Sequence, residues 1–274
     1  MSPVRWPALA GLLTGGAVAA AASARLLSER GARAAWAELT LEGRGETFDP
    51  AVVARLPAPA QRFLLRAIQP GAALARSVEL RMHGDVRLAP DRDPTPMRAE
   101  EILAPPEGFV WRARTESGRM RIQGFDRYAR GQGEMRWLLW GLIPVMRATG
   151  DDVTRSAAGR LAMEAVLLPS SLLPGRGSTW EEMDATRARF RTTVGPETVA
   201  TTLEVDAEGR PRRASARRWS DAVGPGYARF VVDFDGELES GGYRIPSRIG
   251  AGWHFGPGTD FRFFQATLDQ AVFR

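Results

Sequence analysis

Alternation of apolar and polar residues over residues 77–88 is the feature that most limits how this chain folds. Successive side chains of a β-strand point to opposite faces, so this pattern predicts a strand with one buried and one solvated face. Similar stretches recur to residue 273, separated by tight-turn sequences such as 207–209 and 256–258. Short connections place neighbouring strands antiparallel, so the sequence predicts a mainly antiparallel domain of about ten or eleven strands.

One helix is predicted to interrupt the strands. Residues 153–168 contain no proline and a single glycine, Asp151 or Asp152 is suited to cap the start, and Pro169 ends the stretch. The predicted fold class is therefore α+β, mainly antiparallel β. We expect a strongly curved sheet, a half-barrel or open barrel, with one central helix on its concave face and an N-terminal helical segment.

The first 75 residues follow a different pattern from the strands. Asp49-Pro50 reads as a helix cap followed by proline at the first helical position. Pro57 and Pro59 open a second helix that should run to Gln69 with an apolar stripe. We expect a signal peptide or membrane anchor over residues 1–27, a helical lead-in over 28–75, and a single β-rich domain over 76–274.

Ala8–Ala24 is uncharged and mostly apolar, and Arg5 and Arg25 flank it. One interpretation is a secretory signal with small residues at 22–24 suited to cleavage; the other is an uncleaved membrane anchor. The flanking arginines do not decide orientation by the positive-inside rule. A membrane-anchored or exported protein is favoured, with the domain on the extracytoplasmic side.

Composition narrows the function classes. The chain has no cysteine and two histidines, which excludes thiolate catalysis, cysteine-bound zinc and a histidine-rich metal site. A net charge of +5 over 274 residues is too weak to indicate nucleic-acid binding. No glycine-rich stretch sits between a strand and a helix as a phosphate loop requires. We expect no metal, no cofactor and no nucleic-acid partner, and an enzyme is the less favoured class.

Three motifs resemble those of a bacterial domain family of unknown function. They are the opening segment Leu56–Leu64, the strand and turn at Asp126–Gly133, and the segment Glu164–Pro174 followed by Trp180-Glu181. The resemblance spans roughly residue 56 to the C-terminus and implies no activity. In shape alone, the pattern is also similar to lipoprotein-carrier half-barrels, in which a curved sheet and lid helices enclose an apolar cavity.

The candidate ligand-binding residues are large apolar side chains and two carboxylates. The run Met135–Met146 is the most apolar outside the N-terminus, and it reads either as core or as the lining of an adaptable pocket. Glu164 lies in an apolar helical stretch, as a structural ion pair or as a polar anchor at a cavity. The full set is Trp111, Met120, Trp137, Trp140, Met146, Met163, Glu164, Trp180 and Glu181.

Two functions remain open from the sequence. The first is a membrane-tethered or exported domain that binds a hydrophobic or amphipathic, lipid-like molecule between sheet and helix, held to the membrane by its N-terminal segment. The second is a non-enzymatic structural or interaction protein of the cell envelope, with oligomeric state open. An enzyme is the third choice, which a cluster of Glu164, Glu181 and an arginine in one open cleft would favour and scattered carboxylates would disfavour.

Overall fold

Thirteen strands form one antiparallel sheet in the computed structural model, which describes residues 26, 29–87, 89, 91–115, 121–220, 225–254 and 260–274. The sheet curls into a half-barrel, and two short further strands, β12 and β13, pair with each other beside it. The strands are β1 Val78–Val86, β2 Thr95–Ala104, β3 Gly108–Thr115, β4 Ile122–Ala129, β5 Gln132–Leu139, β6 Ile143–Thr149, β7 Ser178–Glu182, β8 Arg187–Val194, β9 Glu197–Val205, β10 Pro211–Ser220, β11 Gly226–Asp235, β12 Leu238–Ser240, β13 Tyr243–Ile245, β14 Arg248–His254 and β15 Asp260–Phe273.

The strand order places the first and last strands of the sheet side by side. It runs β6-β5-β4-β3-β2-β1-β15-β14-β11-β10-β9-β8-β7, so β1 and β15 meet near the middle while β6 and β7 form the two edges. The predicted alternation of β1 is confirmed, because Val78, Leu80 and Met82 are each no more than 4% exposed. These side chains belong to the main core, on the concave face of the sheet.

Helix α3, Asp151–Glu164, fills much of the concave face. It contacts β3–β6 on one side and β8–β10 on the other, as expected of a covering helix. Its cap differs from the prediction: Gly150 is the N-cap, and Asp151 and Asp152 lie in the first turn. Carboxylates are favoured there by the helix dipole. The regular helix ends at Glu164, and a 3₁₀ turn, Ala165–Leu167, continues it to the predicted stop.

The lead-in contains two further helices. Helix α1 spans residues 29–39 and packs through Ala32, Ala35 and Leu39 against the convex face of β2–β4, where Ile102 and Val110 complete a second, smaller core. Helix α2, Ala58–Ala67, buries its predicted apolar stripe in the main core. Asp49 caps the 3₁₀ turn Pro50–Val53 by accepting a hydrogen bond from the Ala51 amide at 2.9 Å, as the sequence predicts.

Two strand predictions need correction. Strand β6 was not foreseen, because Pro144 and bulky residues on both faces break the alternation. The sequence predicts one strand over residues 243–255, but the structure has two, β13 and β14, with Pro246 between them; residue 255 lies outside the described ranges. The apolar stretch Ala8–Ala24 also lies outside those ranges. Within the described residues, no helix has the length and hydropathy needed to cross a membrane.

Candidate functional site

Arg160 of α3 is the centre of a charged cluster on the concave face. Its guanidinium contacts Glu101 of β2 at 2.7 Å, Asp126 of β4 at 3.5 Å and Glu164, one turn along the helix, at 2.7 Å. The strand register explains the convergence, because Glu101, Trp111 and Asp126 are direct neighbours across β2, β3 and β4. Their side chains therefore point together toward the helix.

Aromatic rings surround this arginine. The Arg160 guanidinium lies 4.5 Å from the ring centroid of Phe109 and 5.2 Å from that of Trp111. Trp137 of β5 packs against Trp111 with ring centroids 5.6 Å apart, and its Nε1 donates to Asp126 at 2.9 Å. Cation–π contacts of this kind favour a desolvated guanidinium.

A second buried arginine, Arg218 of β10, faces α3 from the other half of the sheet. It lies 4.3 Å from the ring centroid of Phe230 and 5.4 Å from that of Trp253, and its Nη2 donates to the Ser156 carbonyl at 3.0 Å. Gly159 makes room for it, since a Cβ there would lie 3.3 Å from the Arg218 Cγ. The two arginines thus approach Glu164 from opposite walls of the half-barrel, and both interact electrostatically with its carboxylate.

Burial changes the acid–base behaviour of the cluster. Desolvation, followed by the charge of Glu164, raises the pKa of Glu101 well above its usual value. Desolvation also raises the pKa of Asp126. Burial opposes the charge of Arg160, yet the three carboxylates together raise its pKa. For Arg218, burial dominates and lowers the pKa to about 9, so this guanidinium is still protonated at neutral pH.

Three buried polar atoms in this region have no hydrogen-bond partner among the residues that the structure describes: Trp111 Nε1, Glu164 Oε2 and Arg218 Nε. Buried polar atoms are normally hydrogen-bonded, and each unsatisfied one costs about 1–3 kcal/mol. Two of the three atoms are donors and one is an acceptor. The site therefore has unused capacity to hydrogen-bond a guest that both accepts and donates.

An apolar surface adjoins these atoms. Trp137, Trp253, Phe263 and Phe264 pack on the main core but stay only partly buried. They contact the buried rings in two groups: the Trp111 and Phe264 centroids lie 6.1 Å apart, and the Phe230 and Phe263 centroids also lie 6.1 Å apart. These four partly buried rings form the aromatic belt of the concave face.

Four of the candidate residues predicted from sequence come together here. Trp111, Trp137, Met163 and Glu164 all lie at the interface of α3 with the sheet, and Met163 is 3% exposed in the main core. Met120 lies outside the described residues. Of the apolar run Met135–Met146, Trp137 lies in this region, and its role in ligand binding stays a prediction.

Two other candidates lie elsewhere, at the β5–β6 hairpin. Trp140 is 53% exposed in its turn and Met146 is 48% exposed on the edge strand. The prediction that both line the space between sheet and helix therefore needs correction. Strand β6 has a neighbour on one side only, so its side chains are less covered than those of inner strands.

The last two candidates, Trp180 and Glu181, lie on the opposite edge strand, β7. Trp180 packs on Phe190 at a centroid distance of 5.1 Å and donates to the Leu172 carbonyl at 2.9 Å. Glu181 is paired with Arg189 at 2.8 Å and with Arg191 at 3.3 Å, near the surface. Glu164 and Glu181 therefore have separate arginine partners and do not share a cleft.

Sequence reasoning missed Glu101, Asp126, Arg160 and Arg218. A signal was available for Glu101, because alternation along β2 places it on the same face as Met97 and Leu103. A carboxylate on an apolar face implies a buried partner. Nothing local identifies that partner as Arg160, which is 59 positions away. Across the described part of the chain, no group of three or more histidine or acidic residues is arranged to hold a metal ion.

Comparison with known proteins identifies a family and distant structural likenesses. The model of a family of unknown function, DUF6544, matches residues 46–266. A LolA superfamily protein from Nitrosomonas europaea is 11% identical with a TM-score of 0.41, covering 79% of this chain and 92% of that chain. A putative outer membrane lipoprotein-sorting protein domain from Vibrio parahaemolyticus is 10% identical with a TM-score of 0.41, covering 72% and 85% respectively. No curated protein matches. Structural likenesses at this level carry no argument about what the chain binds.

Proposed function

The chain belongs to the DUF6544 family of unknown function. From the geometry of the concave face we propose that the domain binds an amphipathic molecule there, one whose head is uncharged and forms hydrogen bonds. The head would lie between α3 and the strands, at Arg160, Glu164 and Arg218. The apolar part would lie along the aromatic belt.

The observation that carries this proposal is the set of three unsatisfied polar atoms beside a partly buried aromatic surface. Ligand sites are mostly apolar, with a few placed polar groups that fix orientation. A hydroxyl, ester or amide head could accept from Trp111 Nε1 or Arg218 Nε, and a head with a donor could also bond to Glu164 Oε2. Such a guest would satisfy groups that are costly to leave unpaired.

The charges in the cluster favour an uncharged head. Arg160 contacts Glu101, Asp126 and Glu164, and Arg218 interacts electrostatically with Glu164, so two positive groups are set against three ionisable acids. Arg160 is already engaged by three carboxylates, and a phosphate or carboxylate head at this arginine would enter next to them. Repulsion in a poorly solvated site costs more than at the surface.

Location forms part of the same proposal. A domain attached to, or exported across, a membrane by the segment Ala8–Ala24 would meet lipid-like molecules directly. That placement rests on the apolar sequence of the segment alone.

Ligand binding can be tested with the full chain purified in a lipid-free detergent system. Native mass spectrometry should show one added mass per chain when 1-monooleoylglycerol is supplied, and weaker binding of oleate, which has the same acyl chain and a charged head. We expect Glu164→Gln to weaken monooleoylglycerol binding by about tenfold, the loss typical of a hydrogen bond to a charged group.

Glu181→Gln is the matched control, since Glu181 also pairs with arginines but is near the surface of an edge strand. It should leave the affinity unchanged. Absence of a bound mass with either lipid, or equal losses in the two variants, would overturn the proposal and favour a structural role in the cell envelope.

A further inference from the structure

The β5–β6 hairpin exposes an unusual amount of apolar surface for the tip of a hairpin. Exposed fractions are 53% for Trp140, 70% for Leu142, 50% for Ile143, 51% for Val145 and 48% for Met146. The segment from residue 135 to 149 contains no acidic residue. Contiguous apolar surface of this kind on a folded protein usually marks an interaction site.

The turn itself holds a bulky residue in an unfavourable conformation. Trp140 has a φ of 50° and Gly141 a φ of 68°, the left-handed values that suit asparagine and glycine in a two-residue hairpin. A tryptophan is rare at such a position. Backbone requirements therefore do not explain Trp140, whose side chain is about half exposed.

Positive charge flanks the apolar tip. Arg121, whose carbonyl accepts from the Trp140 amide at 2.7 Å, and Arg147 of β6 are both exposed. Arg147 is the register neighbour of Arg136 on β5. The next neighbours in the same row on the convex face are Phe125 of β4 and Arg112 of β3. Basic side chains thus continue from the hairpin onto the outside of the half-barrel.

That convex face contains an arginine-rich groove beside α1. The groove has a volume of about 830 Å³ and is lined by Arg33 of α1 together with Arg81, Arg98, Arg112, Arg114 and Arg136 of the sheet. Glu29, Glu100 and Asp269 also line it, so the groove has three more basic than acidic side chains. Glu29 and Arg33 place the beginning of α1 at this groove, shortly after the apolar stretch Ala8–Ala24 in sequence.

We infer that the β5–β6 hairpin docks into the surface of a bilayer that contains anionic lipid, with Trp140, Leu142 and Ile143 in the interfacial region and the neighbouring arginines at the lipid headgroups. Tryptophan is enriched at the membrane–water interface, and basic residues beside it are attracted by anionic headgroups. A protein partner adding a strand to β6 would use the backbone of the edge, and would need neither the tip tryptophan nor the excess of positive charge.

The inference can be tested on the full chain by measuring how deeply a label at the hairpin enters the bilayer. A label at one site reports the hairpin itself, even if the N-terminal segment also binds lipid. The chain has no cysteine, so Leu142→Cys provides a unique site for an environment-sensitive fluorophore. We expect the label to shift to the blue and to be quenched by doxyl-labelled lipid in vesicles of phosphatidylcholine and phosphatidylglycerol, and less so in phosphatidylcholine alone. The matched control is Leu65→Cys on α2, a site 43% exposed, where neither effect should occur.

A second substitution separates membrane contact from folding. Trp140→Asn places a residue suited to the left-handed turn, so stability should be kept or increased. The population of inserted hairpins should nevertheless fall by about tenfold, because the buried aromatic surface is lost. Replacing Arg121 and Arg147 by glutamine should reduce insertion by about fivefold for each arginine in anionic vesicles.

The inference is independent of the ligand proposed for the concave face. It fails if the label at residue 142 remains in water in both kinds of vesicle, or if the label at residue 65 behaves in the same way. It also fails if Trp140→Asn inserts like the parent. Disulfide cross-linking between two copies carrying Leu142→Cys, in place of lipid quenching, would show that a second chain covers the hairpin.

Discussion

At the scale of single residues, Arg160 is the cation that neutralises the buried carboxylates of the concave face. Its guanidinium contacts three carboxylates, of which Glu101 is 2% exposed as a residue. A buried ion pair adds little net stability, but removing one partner leaves an uncompensated charge behind. Replacing Arg160 should therefore lower the stability by much more than the intact ion pairs add to it.

We expect Arg160→Met to destabilise the protein by about 3–5 kcal/mol, because Glu101 and Asp126 would stay buried without their cation. Urea unfolding followed by circular dichroism would measure the change. Arg187→Met, which removes an exposed partner of Asp184, should not measurably shift the midpoint. Similar midpoints for the two variants would show that Arg160 is not needed to stabilise the buried carboxylates.

The raised pKa of Glu101 predicts a specific dependence of stability on pH. Burial and the charge of Glu164 make this carboxyl bind protons more tightly in the folded than in the unfolded chain. Stability from this group is therefore present below its unfolded pKa and falls as the pH rises above it.

Glu101→Gln cannot ionise, so we expect its stability relative to the parent to increase between about pH 5 and about pH 8. Urea titrations of both proteins at the two pH values give the comparison. A difference that stays constant, or that changes in the opposite direction, would show that Glu101 does not gain protons on folding.

At the scale of elements, local sequence predicted those whose patterns are regular. The alternation of β1 and the apolar stripe of α2 needed no distant information, and both elements form where predicted. Strand β6 was not predicted from the sequence, because its own residues alternate poorly and the strand is stabilised by its pairing with β5. The site was predictable only in its aromatic part, since the Arg160 cluster depends on contacts between α3, β2 and β4.

The packing of β1 on β15 depends on Gly84. A Cβ at this residue would lie 2.0 Å from the carbonyl oxygen of Gln265 and 2.7 Å from the Cα of Ala266, both in the backbone of β15. We expect Gly84→Ala to cost about 1–3 kcal/mol through strand displacement. Gly226→Ala is the control, because an added Cβ there would have none of the described atoms within 4 Å; denaturant midpoints measure both variants.

At the scale of the whole molecule, the helical lead-in and the sheet share one core. Phe48, Val53, Phe63 and Leu64 belong to the same apolar cluster as the concave face of the strands. Tyr243 of β13 adds a polar link, because its hydroxyl accepts from the Ala75 amide at 2.8 Å and donates to the Ala73 carbonyl at 2.9 Å.

This sharing predicts cooperative unfolding. We expect Phe63→Ala to lower the stability by about 3–5 kcal/mol, as for a large core side chain. A single transition should remain, with the same midpoint by tryptophan fluorescence and by far-ultraviolet circular dichroism. Two separated transitions would instead show that the lead-in and the β-rich region unfold as independent units.

The pairing of β1 with β15 has a consequence for synthesis and folding. These neighbours near the middle of the sheet are about as far apart in the chain as two of its strands can be, and such long-range pairing forms slowly. While the protein is being made, β1–β6 can assemble only as a half-sheet with β1 as an exposed edge, until the 14 residues of β15 emerge. Shortening the chain at its C-terminus would therefore divide the sheet internally, leaving two half-sheets with an additional unpaired edge on each.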